Sequence, residues 1–356
     1  MSDLVQILTS HAAKYPLMQP CDAVKLIYQN EFGGGHLIKD ESSSLLRLEE
    51  EFSVINSCTY SGNVTAESIG NSHSRLYLSG IDTDKLPLFY FNRIFATSSE
   101  MSRGSIEAFI TKLDMLLNLS KQQDVFNFSY DDLAAYLDEY SRMNYPMVSH
   151  SEIYRRNYSP AYRVINTCYA KLIPVICDII RILNAKGHVN IAIEGNAASG
   201  KTTVSSLLSR LFPSDVIHMD DFFLPPDLRS DVRYSEIGGN IHYERFQAEV
   251  LVPLSSGTHF SYRVFDCHEG DYTGAKSYSP KPVNIIEGVY SLHPKLDFPY
   301  DYKIFMSADP VTQKNRIIKR NGEKVYRNFA DIWIPLENKY FGYFSIREKC
   351  DCILKL

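Results

Sequence analysis

The stretch "HVNIAIEGNAASGKTT", residues 188–203, restricts the fold of this chain more than any other. A β-branched apolar run leads into Gly195-Asn196-Ala197-Ala198-Ser199-Gly200-Lys201-Thr202-Thr203, and a helical pattern follows. The loop fits GxxxxGK[ST], and strand, loop and helix come in the order that motif needs. Gly195 and Gly200 allow backbone angles that expose a ring of N–H groups. With the helix N-terminus, those groups favour a polyphosphate anion. Lys201 is expected to reach the β- and γ-phosphates, and the Thr202 hydroxyl to ligate Mg²⁺. Residues Gly195 to Thr203 are thus the expected nucleotide contacts. Three uses of the phosphate stay open here: transfer, hydrolysis that drives motion, or sensing.

Beyond the loop, short strand patterns ("SDVIHM", "VNIIEGVY", "DYKIFMSA") alternate with helical ones ("YERFQAEVLVPL", "DPVTQKNRIIKR"). That alternation predicts βαβ units and a parallel sheet. Before the loop the pattern is helical. "SDLVQILTSHAAKY", "CDAVKLIYQNEF", "DESSSLLRLEEEF", "GSIEAFITKLDMLLNL" and "SYDDLAAYLDEYSRM" carry apolar residues at helical spacing. Asp22 reads as a helix cap, and the second helix stops at the glycines 33–35. The polar stretch "TYSGNVTAESIGNSHS" (59–74) reads as a surface loop. "SPAYRVINTCYAKLIPVICDIIRILNAKG" reads as a helix from Pro160 to Gly187 that Pro174 kinks or divides. The expected organisation is a mainly α-helical N-terminal domain over 1–155, a connecting helix over 156–187, and a P-loop α/β domain over 188–356. The last has a parallel sheet with flanking helices.

Composition narrows the partners. Of 356 residues, 44% are hydrophobic and 22% charged, which suits two globular domains. The formal net charge of −5 argues against a general nucleic-acid binder. No apolar run approaches the ~18 residues of a membrane span, so no membrane partner is expected. The start lacks a basic segment followed by an apolar one, so no signal peptide is expected. Seven scattered cysteines without a CxxC pair fit a reducing cytoplasm. A homo-oligomer is allowed. "CDCILKL" reads as the end of a final strand.

"VIHMDDFFLPP" (216–226) ends a strand on two carboxylates, Asp220 and Asp221. One reading is a helix cap with a hydrophobic anchor. The other is a base that takes the proton from an acceptor hydroxyl as it attacks a γ-phosphate. The set "GNAASGKTT", "HMDDFF", "NIIEGVY" and "DPVTQKNRIIKR" resembles the uridine kinase/phosphoribulokinase family of P-loop small-molecule kinases, over roughly residues 188–356. The resemblance implies ATP and Mg²⁺, with Asp220 as catalytic base and Asp221 assisting Mg²⁺ or water. It implies that Glu287 holds the metal through water. Arg316, Lys319 and Arg320 fall where family members carry a basic lid helix, with Arg320 expected over the phosphates.

Departures from the family concern the acceptor. Where uridine kinases have Tyr-Asp-Phe followed by His, this chain has Phe265-Asp266-Cys267-His268. Where the family has an Asp on ribose hydroxyls, "GNIHYERF" offers His242, with Arg233, Tyr243 and Arg245 nearby. Each has a packing role as its alternative. Trp333 is read as core or lid packing.

In the first half, "YQNEFGGGHLI" (28–38) and "SHSEIYRRNYSPAYRVI" (149–165) stand out. Each reads either as ligand contact or as ordinary loop and surface. The expected function is an ATP-dependent kinase acting on a hydroxyl of a nucleoside-like or other polyol metabolite. Its rivals are a regulatory P-loop ATPase with the helical domain as output, and a module that only senses nucleotide.

Overall fold

Polar side chains at fixed offsets start the helices of the first half. Helix α1 (Ser2–Lys14) and α2 (Pro20–Phe32) bury Leu4, Leu8, Val24, Leu26 and Ile27 against one another's surroundings. Asp22 lies one turn inside α2, where its carboxylate accepts the Gln19 N–H at 2.9 Å. It is the far arm of a capping box and not the cap itself. Helix α2 ends at Gly33, whose φ of +63° suits glycine. A side chain there would also collide with Ser102 and His73.

The structure is a computed structural model that describes residues 2–34, 38, 40–55, 66–122, 125–267 and 269–356. Gly35, His36, Cys58 and His268 lie outside the described residues. The chain divides into two units, Met1–Ile173 and Pro174–Leu356.

The first unit continues with α3 (Glu41–Ile55), β1 (Ala66–Gly70), β2 (His73–Tyr77), α4 (Leu88–Met101), α5 (Ile106–Leu119), α6 (Tyr130–Arg142), α7 (Glu152–Tyr158) and β3 (Tyr162–Asn166). Ser105 caps α5, and Ser129 with Asp132 caps α6. Strands β1, β2 and β3 form an antiparallel sheet. This corrects two expectations. The described part of the presumed loop 59–74 holds a hairpin, turning through Gly70, Asn71 and Ser72, all at positive φ. And 162–166, where the apolar spacing predicts helix, is a strand paired with β2 from His73↔Asn166 to Tyr77↔Tyr162. Its Tyr-Arg-Val-Ile run prefers a pleated, half-buried surface. Helix α8 (Thr167–Lys186) begins only after it and continues through Pro174.

This unit buries an unusual set of polar groups. Arg75 is fully buried. Its Nε donates to Gln29 Oε1 at 2.9 Å, its Nη1 meets His11 Nε2 at 3.1 Å, and its guanidinium lies over the Tyr162 ring. His150 bridges the Asp22 carboxylate (2.9 Å) and the Tyr162 hydroxyl (2.7 Å). Burial pushes the His150 imidazole down to about 4, so it is neutral at pH 7. Glu31 and Asn30 both receive Lys112 at 2.5 Å. The motif at 28–34 is thus knitted into the interior.

The second unit contains β4 (Val189–Gly195), α9 (Lys201–Leu211), β5 (Val216–His218), α10 (Asp231–Ser235), α11 (Tyr243–Phe246), α12 (Val252–Ser255), β6 (Phe260–Asp266), β7 (Asp271–Tyr278), β8 (Val283–Glu287), β9 (Tyr302–Met306), α13 (Pro310–Asn321), α14 (Glu323–Asn328), α15 (Ile334–Phe344) and β10 (Cys352–Leu354). Strands β4, β5, β8, β9 and β10 form one parallel sheet in the order β10-β9-β4-β8-β5. The apolar residues of β4, β8 and β9 are buried almost without alternation, as helices on both faces require. The expected α/β P-loop fold with a mainly helical region before it is the fold observed. "CDCILKL" supplies the edge strand β10. Strands β6 and β7 form a separate antiparallel hairpin that carries Phe265, Asp266 and Cys267 to its turn.

Candidate functional site

Strand order decides what meets at the sheet's C-terminal edge. Strand β4 lies between β8 and β9, and β5 lies outside β8. The loop after β4 therefore emerges beside the end of β8, and His218 at the end of β5 is the register partner of Glu287. Open α/β sheets bind ligands at this edge.

The loop takes the shape its glycines permit. Gly195 has φ +135° and Gly200 +107°, and Ala198 holds the left-handed region at +55°. A side chain at Gly195 would run into the backbone of Met306 on β9. Helix α9 starts at Lys201, so its first N–H groups face the loop. Lys201 Nζ donates to the carbonyls of Gly195 (2.7 Å) and Asn196 (2.9 Å). The Ser199 hydroxyl is buried and has no hydrogen-bond partner.

A hydroxyl, a carboxylate and an imidazole converge beside it. The Thr202 hydroxyl donates to Glu287 Oε1 at 3.2 Å, and His218 Nδ1 meets the same oxygen at 2.6 Å. Glu287 raises the His218 pKa. Thr202 and Glu287 offer the hard oxygen donors that suit Mg²⁺, which completes its shell with water and phosphate oxygens. Asp220 faces the open edge and is reached by solvent. The surrounding protein mass raises its pKa, Lys201 opposes the rise, and Glu287 adds to it. Water at the open edge limits that rise. Asp221 instead is buried and paired with Lys276 at 2.7 Å.

Other expected residues sit in different company. Arg316 donates to the carbonyls of Ala198 and Ser199 at 3.3 Å each, and so braces the loop. Lys319 and Arg320 are exposed, with Arg320 Nε on Asn321 at 2.7 Å. Arg245 is buried over the Phe222 ring and donates to the carbonyls of Asp221 and Arg263, both at 2.6 Å. It ties the Asp220–Phe223 segment to the hairpin. Arg233 stacks on Tyr243, pairs with Glu244 at 2.8 Å, and shares the Tyr243 hydroxyl with Glu236 and Lys295. Beside this cluster is a hollow of about 380 Å³ lined by Leu224, Leu228, Arg233 and His242. His242 Nδ1 is buried without a partner. Asp266 heads the hairpin turn, and the Asp220 charge bears on the neighbouring Cys267. Trp333 is half-buried near the Phe223 ring.

Four residues around the loop and its neighbouring carboxylates escaped sequence reasoning: Glu194, His218, Lys276 and Glu337. Register alone pairs His218 with Glu287, and tertiary packing alone brings Lys276 and Glu337 in. Glu194 precedes the loop and is fully buried. Its carboxylate accepts the N–H groups of Gly195 (2.9 Å), Tyr290 (3.2 Å) and Leu292 (3.2 Å) and the Tyr340 hydroxyl (3.1 Å). Burial still pushes it up to about 7 against those donors. Glu194→Leu is expected to strand these donors and to destabilise the second unit by at least about 3 kcal/mol. Denaturant unfolding reads this directly, and a wild-type midpoint would refute the clamp.

No protein-family profile matches the chain, and no curated protein matches its sequence. Among solved structures, it is similar to a possible uridine kinase from Bacillus stearothermophilus at 14% identity and a TM-score of 0.39. That match covers 51% of this chain and all of the other. It is also similar to a deoxyadenosine kinase from M. mycoides with bound dATP, at 14% identity and a TM-score of 0.26. That one covers 47% of this chain and 91% of the other. At these values neither likeness bears on the reaction, and the fold rests on the strand order and the loop.

Proposed function

We propose that the chain is an ATP-dependent, cytoplasmic small-molecule kinase that moves the γ-phosphate to a hydroxyl of a nucleoside-like or other polyol metabolite. The observation that carries the reading is the meeting of Lys201, Thr202, Glu287 and Asp220 at the ends of three neighbouring parallel strands.

In this reading the loop from Gly195 to Thr203 holds the triphosphate through its N–H groups other than that of Gly195, which Glu194 keeps. Lys201 leaves the loop carbonyls and takes the β- and γ-phosphate oxygens. Thr202 and Glu287 would hold Mg²⁺, which would supply further charge neutralisation, and Asp221, paired with Lys276, is proposed to assist. Asp220 accepts the proton of the acceptor hydroxyl as that oxygen bonds to the γ-phosphorus. The bond from phosphorus to the β–γ bridging oxygen breaks, giving ADP and a phosphomonoester. Positioning and charge neutralisation provide most of the acceleration. Arg320 is proposed to close over the phosphates. Arg233, His242, Tyr243, Arg245, Asp266 and His268 are proposed to line the acceptor side. His242 has the strongest support, since its unpartnered Nδ1 suits a hydroxyl.

His218 is proposed to steady Glu287. His218→Ala is therefore expected to raise the Mg²⁺ concentration for half-maximal rate several-fold while Kd for nucleotide without metal stays put. An unchanged Mg²⁺ requirement would remove His218 from the site.

The test of the function is ADP release with ATP and Mg²⁺, run alone and then with uridine, cytidine, other nucleosides, pantothenate, glycerate and simple sugars. Release that rises with one acceptor supports the kinase. Steady release indifferent to every acceptor would replace it with the ATPase reading.

A further inference from the structure

One acidic side chain at the loop has no task in the reaction as written. Glu337, on α15, is buried, 6% exposed, and its Oε2 accepts the Ala197 N–H at 2.9 Å. That N–H belongs to the loop whose amides would receive phosphate oxygens. The next residue, Asn338, accepts Asn196 Nδ2 at 3.1 Å, and Gln313 of α13 donates to the Ala197 carbonyl at 2.9 Å. Lys201 and Asp220 are both close enough to act on the Glu337 charge. Lys201 meanwhile lies on the carbonyls of Gly195 and Asn196. The loop thus answers its own polar groups, with an amide on a carboxylate and an ammonium on carbonyls.

A carboxylate and a terminal phosphate make the same demand on an N–H and carry the same sign of charge. They cannot both hold the Ala197 N–H, and at a few ångströms in a half-buried site they repel. Lys201 can neutralise one of them fully, not both. In the proposed binding mode the first phosphate lies nearer the start of α9, away from the Ala197 N–H, and escapes this conflict.

We propose that Glu337 competes with the terminal phosphate for the Ala197 N–H and so sets how strongly the loop prefers a long phosphate chain over a short one. The proposal rests on the nucleotide-binding reading of the loop. Binding of a triphosphate requires Glu337 to release the amide, and α15 carries the displacement. Glu337 is then a specificity-determining residue and not a strut.

Two substitutions separate the roles. Glu337→Gln keeps an oxygen for the Ala197 N–H and removes the charge. Glu337→Ala removes both. The probes are a non-hydrolysable ATP analogue and AMP, titrated calorimetrically into the full chain, with thermal unfolding as a check on folding. Competition predicts that both variants bind the triphosphate tighter, Glu337→Gln by roughly ten-fold, the scale of one like-charge contact. AMP affinity stays within about two-fold of wild type. If Glu337 only braces the loop, Glu337→Gln binds as wild type and Glu337→Ala binds more weakly, and the proposal falls while the nucleotide reading stands. If wild type and both variants bind no triphosphate, the nucleotide reading itself falls and takes the proposal with it.

Discussion

Asp220→Asn is expected to bind nucleotide almost as wild type and to turn it over about a thousand-fold more slowly. The amide fills the space of the carboxyl but cannot accept the acceptor's proton, and general-base catalysis is worth about 10²–10⁴ in rate. Affinity for ATP should change little, because Asp220 faces solvent at the open edge, where water screens its charge more than that of buried Glu337. The pH profile carries a second signature. A carboxyl acts as base only when ionised, so the wild-type rate falls as pH drops through the Asp220 pKa. The surrounding protein mass raises that pKa, Lys201 opposes the rise and Glu287 adds to it, so the fall begins somewhat above the pH for an ordinary aspartate, by an amount that water at the open edge limits. The residual activity of Asp220→Asn should lack this acid limb. Wild-type turnover in the variant would remove Asp220 as the base.

Lys201→Met is expected to lose both triphosphate affinity and turnover, each by at least about a hundred-fold. Methionine keeps the apolar stem and drops the ammonium, so the loop keeps its packing while the phosphates lose their nearest cation. Two carbonyls, Gly195 and Asn196, lose a donor at the same time. The loop shape is set elsewhere, by Arg316, Gln313 and the backbone of Met306, so the variant should stay folded. Titration with the ATP analogue and single-turnover transfer would measure the two losses. Retained affinity would mean that the loop serves something other than a phosphate chain.

The P-loop domain was legible because its signals are local. GxxxxGK[ST] needs only eight adjacent residues and a strand before them. The apolar runs of β4, β8 and β9 carry their own boundaries. What local pattern did not reveal depends on partners distant in the chain. The hairpin at β1 and β2 was hidden by its small polar residues, although Gly-Asn between alternating segments is a turn signal. Strand β3 looked helical until its pairing with β2 overrode local spacing. Glu337 lay in a stretch read only for Trp333, and its role depends on a contact across 140 positions. The sequence offers Arg233, Tyr243 and Arg245 only as candidate acceptor contacts. That they hold Glu244, Glu236 and the hairpin backbone follows only from three-dimensional neighbours.

The buried Arg75 has a consequence for how the first unit is made. Its partners come from positions 11 and 29, and its covering ring, Tyr162, is held by His150 and so by Asp22. A guanidinium cannot shed its water until acceptors and ring are all at hand. The chain leaves the ribosome from its N-terminus at about 5–20 residues per second. Helices α1 and α2 must therefore wait, already synthesised, for a strand that emerges some seconds later. During that interval α5 and α6, which pack on these helices, can cover their apolar faces, but the place of the Arg75 guanidinium stays open to water until β3 arrives.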